Sequence, residues 1–423
     1  MMNNQTPNWG KLDNTAHLFP VISTKKTSNV FRESVSLYEE VIATLLQEAV
    51  EKTLQSFPGF AVHLKRGLFW YYLEENPKPF PIVAEEDDYP CRLIDYKKNN
   101  EYLFSVSYYK DRINLETFHA LADGVGAKVF LKALIYNYLN LSHDEINEIP
   151  FDQDISLERE DGFQQCYTPG KISKSNYSTL NALHINGRKL FNNGLSVIEG
   201  SLSVKEIKSL AKSLNVSINV LLVATYAYAI YLTKYGNKKP IVISVPVDLR
   251  FFFNSSTTKN FFSMANANFI PTKDDYSFEE VVEIVKNSLI AQITKENFRK
   301  TISYNVSNEQ GSIVKGIPLV IKNIGIKYTY AKAAKASTTT MSNLGVMKFK
   351  EPYNEYVNKF SAMLPMSIGQ NIKAAIASHG DLLSIIFTSS MRNSKIQKEF
   401  FRILSHKSIK IRIVTNGENN VSL

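Results

Sequence analysis

The stretch Thr117-Phe118-His119-Ala120-Leu121-Ala122-Asp123-Gly124 decides how the chain folds. Before it, Arg112 to Thr117 is strand-like; after it, Val125 to Leu139 has the apolar spacing of a helix, so the octapeptide is a strand-to-helix turn. Gly124 tolerates a positive φ, and Asp123 can accept from the free N–H groups that open a helix. Histidine, whose unperturbed pKa is about 6.5, takes up and returns a proton near neutral pH. Two readings of His119 are open on these residues: a packed strand-end imidazole with Asp123 as a simple N-cap, or an acid–base group presented at a strand's carboxyl end.

Upstream, Trp9 to Pro20 (WGKLDNTAHLFP) reads as an ordered lead-in, because its Trp, Leu and Phe would otherwise face water. Ser36 with Glu39 makes a capping box before a helix whose apolar stripe (Val41, Leu45, Ala49, with Ile42, Leu46, Val50 and Leu54) stops at Pro58. A hairpin follows, Phe60 to Leu64 and Leu68 to Leu73, turned at Lys65-Arg66-Gly67. Cys91 to Tyr96 and Tyr102 to Tyr109 read as strands, and Lys110-Asp111 turns the chain into the strand that delivers His119.

Downstream, Asp152 to Gly194 fades into Gly, Ser, Asn and Lys, the composition of a crossover linker. Order resumes with a strand at Leu195 to Gly200, a helix opened by Ser203 and Glu206, an apolar helix from Ser217 to Tyr235 and a strand at Pro240 to Val247. An irregular loop from Asp248 to Ser263 leads to a strand at Met264 to Ile270. Ser277 with Glu280 opens a long amphipathic helix to about Glu296. Ile372 to Ser378 and Leu382 to Thr388 flank His379-Gly380-Asp381 as a hairpin, and Ser394 with Gln397 caps a last helix. Strands interleaved with helices in both halves predict an α/β (two-layer α+β) plan repeated in two domains, 1–165 and 195–423, joined by a linker at 166–194. The letters themselves show no repeat.

A chain of 423 residues exceeds one ordinary core and fits two domains. Its 44% hydrophobic and 21% charged content excludes a disordered chain. The net charge of +9 comes without a long Lys/Arg block or a nucleic-acid motif, so no nucleic-acid partner is expected. Such a field suits an anionic small molecule, such as a nucleotide-bearing thioester, or is simply a solvated basic surface. Cys91 and Cys166 stand alone and far apart, which gives neither a disulfide framework nor metal-ligand spacing and suggests a reducing, cytoplasmic setting. The first residues lack the plan of a secretory signal. The most apolar run, Val216 to Leu232, falls short of the roughly 20 apolar residues of a membrane span and reads as a buried helix.

In order along the chain, FHALADG with its helix, SVKEIKSLAKSLNVSINVLLVATYAYAI, ISVPVDLR, KNFFSMANANFIP and MSNLGVMKF resemble the chloramphenicol-acetyltransferase-like superfamily, most of all its bacterial alcohol-acetyltransferase and condensation-domain branch. The likeness runs from LDNTAHLFP to the last helix. It implies two related α/β domains in a V-shaped pseudo-dimer, with a tunnel between them that an acyl thioester enters from one side and an acceptor from the other. In that family the His of His-x-x-x-Asp-Gly deprotonates the acceptor, while the Asp turns away to pair with an Arg. His119, Asp123 and Gly124 match this pattern, and Arg250 in PVDLR is the implied partner.

Ser342, with Asn343 beside it, is the candidate oxyanion donor, and Asn266 and Asn268 are candidates to line the tunnel; an ordinary strand-end turn and alternating polar strand positions explain these residues equally well. The other six histidines, His17, His63, His143, His184, His379 and His406, have no comparable setting. The resemblance implies acyl-CoA as cosubstrate, a small alcohol or amine as acceptor, no resident cofactor or metal, and a monomer sufficient for activity. Peptide-forming condensation domains carry a second His where this chain has Phe118, which tilts away from peptide synthesis. No segment with an attachable serine is evident, so any carrier protein would act in trans. The expected activity is transfer from acyl-CoA to an alcohol; the alternatives are an amine acceptor or carrier-bound donor, and a catalytically silent binding member.

Overall fold

The computed structural model describes residues 9–146, 160–168, 180–191, 194–311 and 315–416. The residues ahead of Trp9 and much of the expected linker, Asn192-Asn193 included, lie outside the described residues.

Two large sheets organise the chain. The first has the order Val357–Met363, Val30–Leu37, Arg112–Phe118, Phe104–Tyr109, Ala84–Glu85, antiparallel except at its last pair. The second runs Phe262–Phe269, Ile241–Asp248, Thr339–Val346, Ile372–His379, Leu382–Ser389, Ser196–Ser203, Arg412–Thr415. Its three strands Ile241–Asp248, Thr339–Val346 and Ile372–His379 are parallel. Helices Ala43–Ser56 and Gly124–Ser142 pack Leu46, Val50, Phe130 and Leu134 into the first core. Helices Val204–Ser213, Ile218–Thr233, Phe278–Gln292 and Lys395–His406 build the second with Ile207, Leu222, Val285 and Phe400. Ile218–Thr233 is apolar on all sides and buried accordingly. No single described helix is long and apolar enough to cross a membrane.

Strand Val357–Met363, from the second half of the sequence, sits in the first sheet and packs over Ile372–His379 and Leu382–Ser389 of the second. Through this exchange Ala375 and Ala377 of the second sheet join the first core.

Several local expectations need correction. Ser36 lies in strand Val30–Leu37 and caps nothing; the helix expected behind it begins at Ala43 with Ile42 at its N-cap and no side-chain cap. The serine's neighbours are buried on both faces of the sheet, so tertiary burial overrides the local capping signal. Residues 91–96 form no strand: Cys91 has φ 60°, and its N–H donates to Glu116 Oε1 at 2.6 Å. The first hairpin turns at 67–70, with strands Val62–Arg66 and Tyr71–Glu75. Ser277 and Glu280 do form a reciprocal capping box, whereas Ser394 makes no capping bond. The long helix ends at Gln292, and a separate one, Lys295–Gln310, follows.

Gly124 is not in the left-handed region; space is what it supplies. A Cβ there would meet Leu344 Cδ2 at 2.5 Å, and one on Gly126 would stand 1.9 Å from the Thr258 carbonyl oxygen. Gly126→Ala must therefore displace backbone and should cost at least the roughly 1–3 kcal/mol of overpacking. Gly325, inside helix Leu319–Ala333, has nothing within 4 Å of such a Cβ, so Gly325→Ala should gain about 1 kcal/mol. Urea midpoints moving the same way in both variants would contradict this.

Candidate active site

His119 leaves the end of strand Arg112–Phe118 with its N–H donating to the Asn29 carbonyl at 2.9 Å, a bond set by the Val30↔Phe118 register. Phe19 stacks on its ring at 4.3 Å between centroids and Phe31 meets it edge-on at 5.0 Å. Phe262 lies at 5.6 Å. The ring is walled by aromatics, and the residue as a whole is half-buried.

Its Nδ1 is 2.9 Å from Asn260 Oδ1. The orientation of that amide is fixed by its other end: Asn260 Nδ2 donates to the His119 carbonyl at 3.0 Å and to Asp13 Oδ2 at 3.0 Å. A backbone carbonyl only accepts, so the NH₂ must face it and the amide oxygen must face the ring. An amide oxygen also only accepts. The proton of the neutral imidazole is therefore on Nδ1, and Nε2 carries the lone pair. Nε2 has no hydrogen-bond partner among the described residues. Burial pushes the His119 pKa below its ordinary value, with the Asn260 bond and the Asp123 charge only partly opposing it and Lys373 adding to the depression.

Asp13 anchors Asn260 from below. Its Oδ1 accepts from Ala16 N at 2.8 Å and its Oδ2 from Asn260 N at 3.2 Å. Burial raises its pKa to about 7 against the pull of the Asn260 and Ala16 bonds.

Asp123 is the N-cap of helix Gly124–Ser142, accepting from Gly126 N at 2.9 Å. The same carboxylate takes a two-pronged bond from Arg250, Nη1 to Oδ2 and Nη2 to Oδ1, both 3.0 Å, and one from Phe261 N at 2.8 Å. All five N–H groups of Arg250 are engaged, the others with Asp248 Oδ1 (3.0 Å), the Thr257 carbonyl (2.7 Å) and the Lys259 carbonyl (2.7 Å). Burial works against the guanidinium charge, but Asp123 and Asp248 outweigh it and hold its pKa above the ordinary value. The clasp grips residues 259 and 261, one on each side of Asn260. The pair that braces the turn thus also holds the amide that sets the imidazole's tautomer.

The other expected site residues are placed as follows. Ser342 is half-buried, in register with Ala375 on the face turned to the first core. Asn343 is exposed, and its Oδ1 accepts from Gly345 N at 2.9 Å. Two residues beyond Ser342, Leu344 packs on Gly124, and Lys128 Nζ donates to the Leu344 carbonyl at 2.7 Å. Asn266 accepts from Ser244 Oγ at 2.8 Å, and Asn268 Oδ1 is buried without a partner. Among the described residues, no hydrogen bond joins Ser342, Asn343, Asn266 or Asn268 to His119. Of the other histidines, His63 sits between Glu74 and Glu101, at 2.9 and 3.2 Å, and His379 Nδ1 is 2.9 Å from the Met347 carbonyl.

Sequence reasoning missed Asn260, Asp13 and Lys373. The first two stand inside stretches quoted above, KNFFSMANANFIP and LDNTAHLFP, but nothing local marks which polar residue in them turns toward the imidazole. Lys373 is a buried amine whose Nζ donates to Ser367 Oγ at 2.5 Å and whose pKa burial lowers to about 8. Among the described residues, no group of three or more His, Cys, Asp and Glu is placed to hold a metal ion.

By sequence the chain matches no family model and no curated protein. By structure it is similar to F. sporotrichioides TRI101 complexed with coenzyme A and T-2, at a TM-score of 0.67 and 11% identity over 96% of this chain and 99% of that one. It is also similar to the first condensation domain of the CDA synthetase (TM-score 0.60, 14% identity, 94% and 95% covered). A third likeness is to the TRI3 trichothecene 15-O-acetyltransferase of Fusarium sporotrichioides (TM-score 0.59, 12% identity, 93% of both chains). The chain shares its α/β fold, over nearly its whole length, with these acetyltransferases and this condensation domain.

Proposed function

We propose that this chain is an acyltransferase that moves an acyl group from an acyl-CoA thioester to an alcohol, with Nε2 of His119 as general base. The observation that carries the reading is the Asn260 amide: its two donor bonds leave Nδ1 protonated and Nε2 free. In the first step Nε2 takes the acceptor's hydroxyl proton as its oxygen attacks the thioester carbon. In the second, the C–S bond breaks and the imidazolium returns the proton to the thiolate, leaving an ester and free CoA. Such a base is worth about 10²–10⁴-fold.

Asp123 and Arg250 hold the turn. Ser342 is the proposed oxyanion donor, and Asn343, exposed and bonded within its own turn, a weaker one. Asn266 and Asn268 are proposed to line the passage by which reactants reach His119. All of these groups belong to one chain, so a monomer is proposed to suffice; the two free cysteines suit a reducing cytoplasm. Coenzyme A is favoured as donor carrier by the TRI101 complex, and the condensation-domain likeness keeps a carrier-protein thioester as the second reading.

A pKa held below 6.5 keeps Nε2 unprotonated in the free enzyme at neutral pH. The acid limb of kcat/KM is therefore expected below pH 6.5; a limb above that value would contradict the assignment. The reading itself is tested by thiol release from acetyl- and longer acyl-CoAs with pooled alcohols or amines, wild type beside His119→Ala. Equal release by both proteins would remove it.

A further inference from the structure

Helix Leu319–Ala333 (LVIKNIGIKYTYAKA) is apolar on two opposite faces, and the fold covers only one of them. Leu319 is buried, and Ile326 and Tyr330 pack against the first core. On the other side Val320, Ile321, Ile324 and Tyr328 stand 57%, 59%, 68% and 71% exposed. Four large apolar side chains exposed side by side on one helix face form a patch that a partner would cover.

The patch extends beyond the helix. Leu319 N donates to the Leu68 carbonyl at 2.9 Å, and Lys322 Nζ donates to the Phe69 carbonyl at 3.0 Å while lying 3.4 Å over the Trp70 ring. These bonds hold the tip of the first hairpin against the helix with Leu68 72% and Phe69 40% exposed. Charge indicates what covers the patch. Between Glu309 and Glu351 the sequence has seven lysines and neither Asp nor Glu. Lys315, Lys327, Lys332 and Lys335 are exposed along the helix and at its ends. Protruding Ile, Val, Leu, Phe and Tyr among lysines, with no carboxylate interspersed, match hydrocarbon beneath anionic headgroups.

We propose that this face docks on a membrane surface bearing anionic lipid, the helix lying in the interface and not crossing it. The proposal does not depend on the reaction assigned to His119.

The test is co-sedimentation of the full chain with vesicles of phosphatidylcholine, alone or mixed with phosphatidylglycerol. Binding is expected to the mixed vesicles and to weaken with salt. The double variant Ile324→Glu, Tyr328→Glu should bind about a hundredfold more weakly, having lost two inserted apolar side chains. Both positions face solvent, so an unchanged melting temperature is expected and checks that the variant is folded. Failure to bind either vesicle, equal binding to both, or full binding by the double variant would overturn the proposal. So would a lipid-free dimer of the wild type that the variant abolishes, which would assign the face to a second copy.

Discussion

His119→Ala is expected to lower kcat/KM for acyl transfer by about 10²–10⁴-fold, the contribution of one positioned acid–base group. The loss should fall in kcat, because the imidazole acts on a proton in flight and not on substrate affinity. Asn260→Leu should fall between the variant and the wild type: it leaves the ring stacked on Phe19 but no longer dictates which nitrogen holds the proton. Steady-state kinetics over a range of pH separate the two. A His119→Ala protein with wild-type kcat would leave the fold without the proposed chemistry.

Arg250→Met should cost about 3–5 kcal/mol, the usual penalty for breaking a buried ion pair on one side. The pair is almost fully enclosed, with side-chain exposures of 9% for Arg250 and 6% for Asp123. Removing the guanidinium leaves the carboxylate with only its N–H donors at Gly126 and Phe261 and frees three backbone and side-chain acceptors in residues 248–259. Removing both charges, with Asp123→Asn and Arg250→Met together, should be less damaging than Arg250→Met alone, since no uncompensated charge stays buried. Urea midpoints and soluble yield report the cost. A wild-type midpoint for Arg250→Met would show that the pair does not brace the turn.

What could be read in the sequence was local. The His-x-x-x-Asp-Gly turn is legible because a strand, a cap and a helix follow one another within thirty-odd residues, and the structure has them at Arg112–Phe118 and Gly124–Ser142. Ser277 and Glu280 could be read as a capping box because both partners lie within one turn. Ser36 looked the same in letters but belongs to a strand, since Val30–Leu37 is buried between two strands from distant parts of the chain. The strand Val357–Met363 pairs with it across more than three hundred residues, which no local pattern announces. Helix Leu319–Ala333 was invisible for another reason: with apolar residues on two opposite faces it has no single 3.6-residue stripe. At the site, Arg250 came from the family resemblance and not from spacing. Asn260 lies 141 residues from His119 and Asp13 lies 247 from Asn260, so their convergence exists only in three dimensions.

The central claim concerns one proton on one ring, and nitrogen NMR of the histidine-labelled protein addresses it directly. At pH 7 the neutral His119 ring should show a protonated Nδ1 and an unprotonated Nε2, and the midpoint of its titration should lie below pH 6.5. A proton on Nε2 in the neutral ring, or a doubly protonated ring at pH 7, would contradict the account.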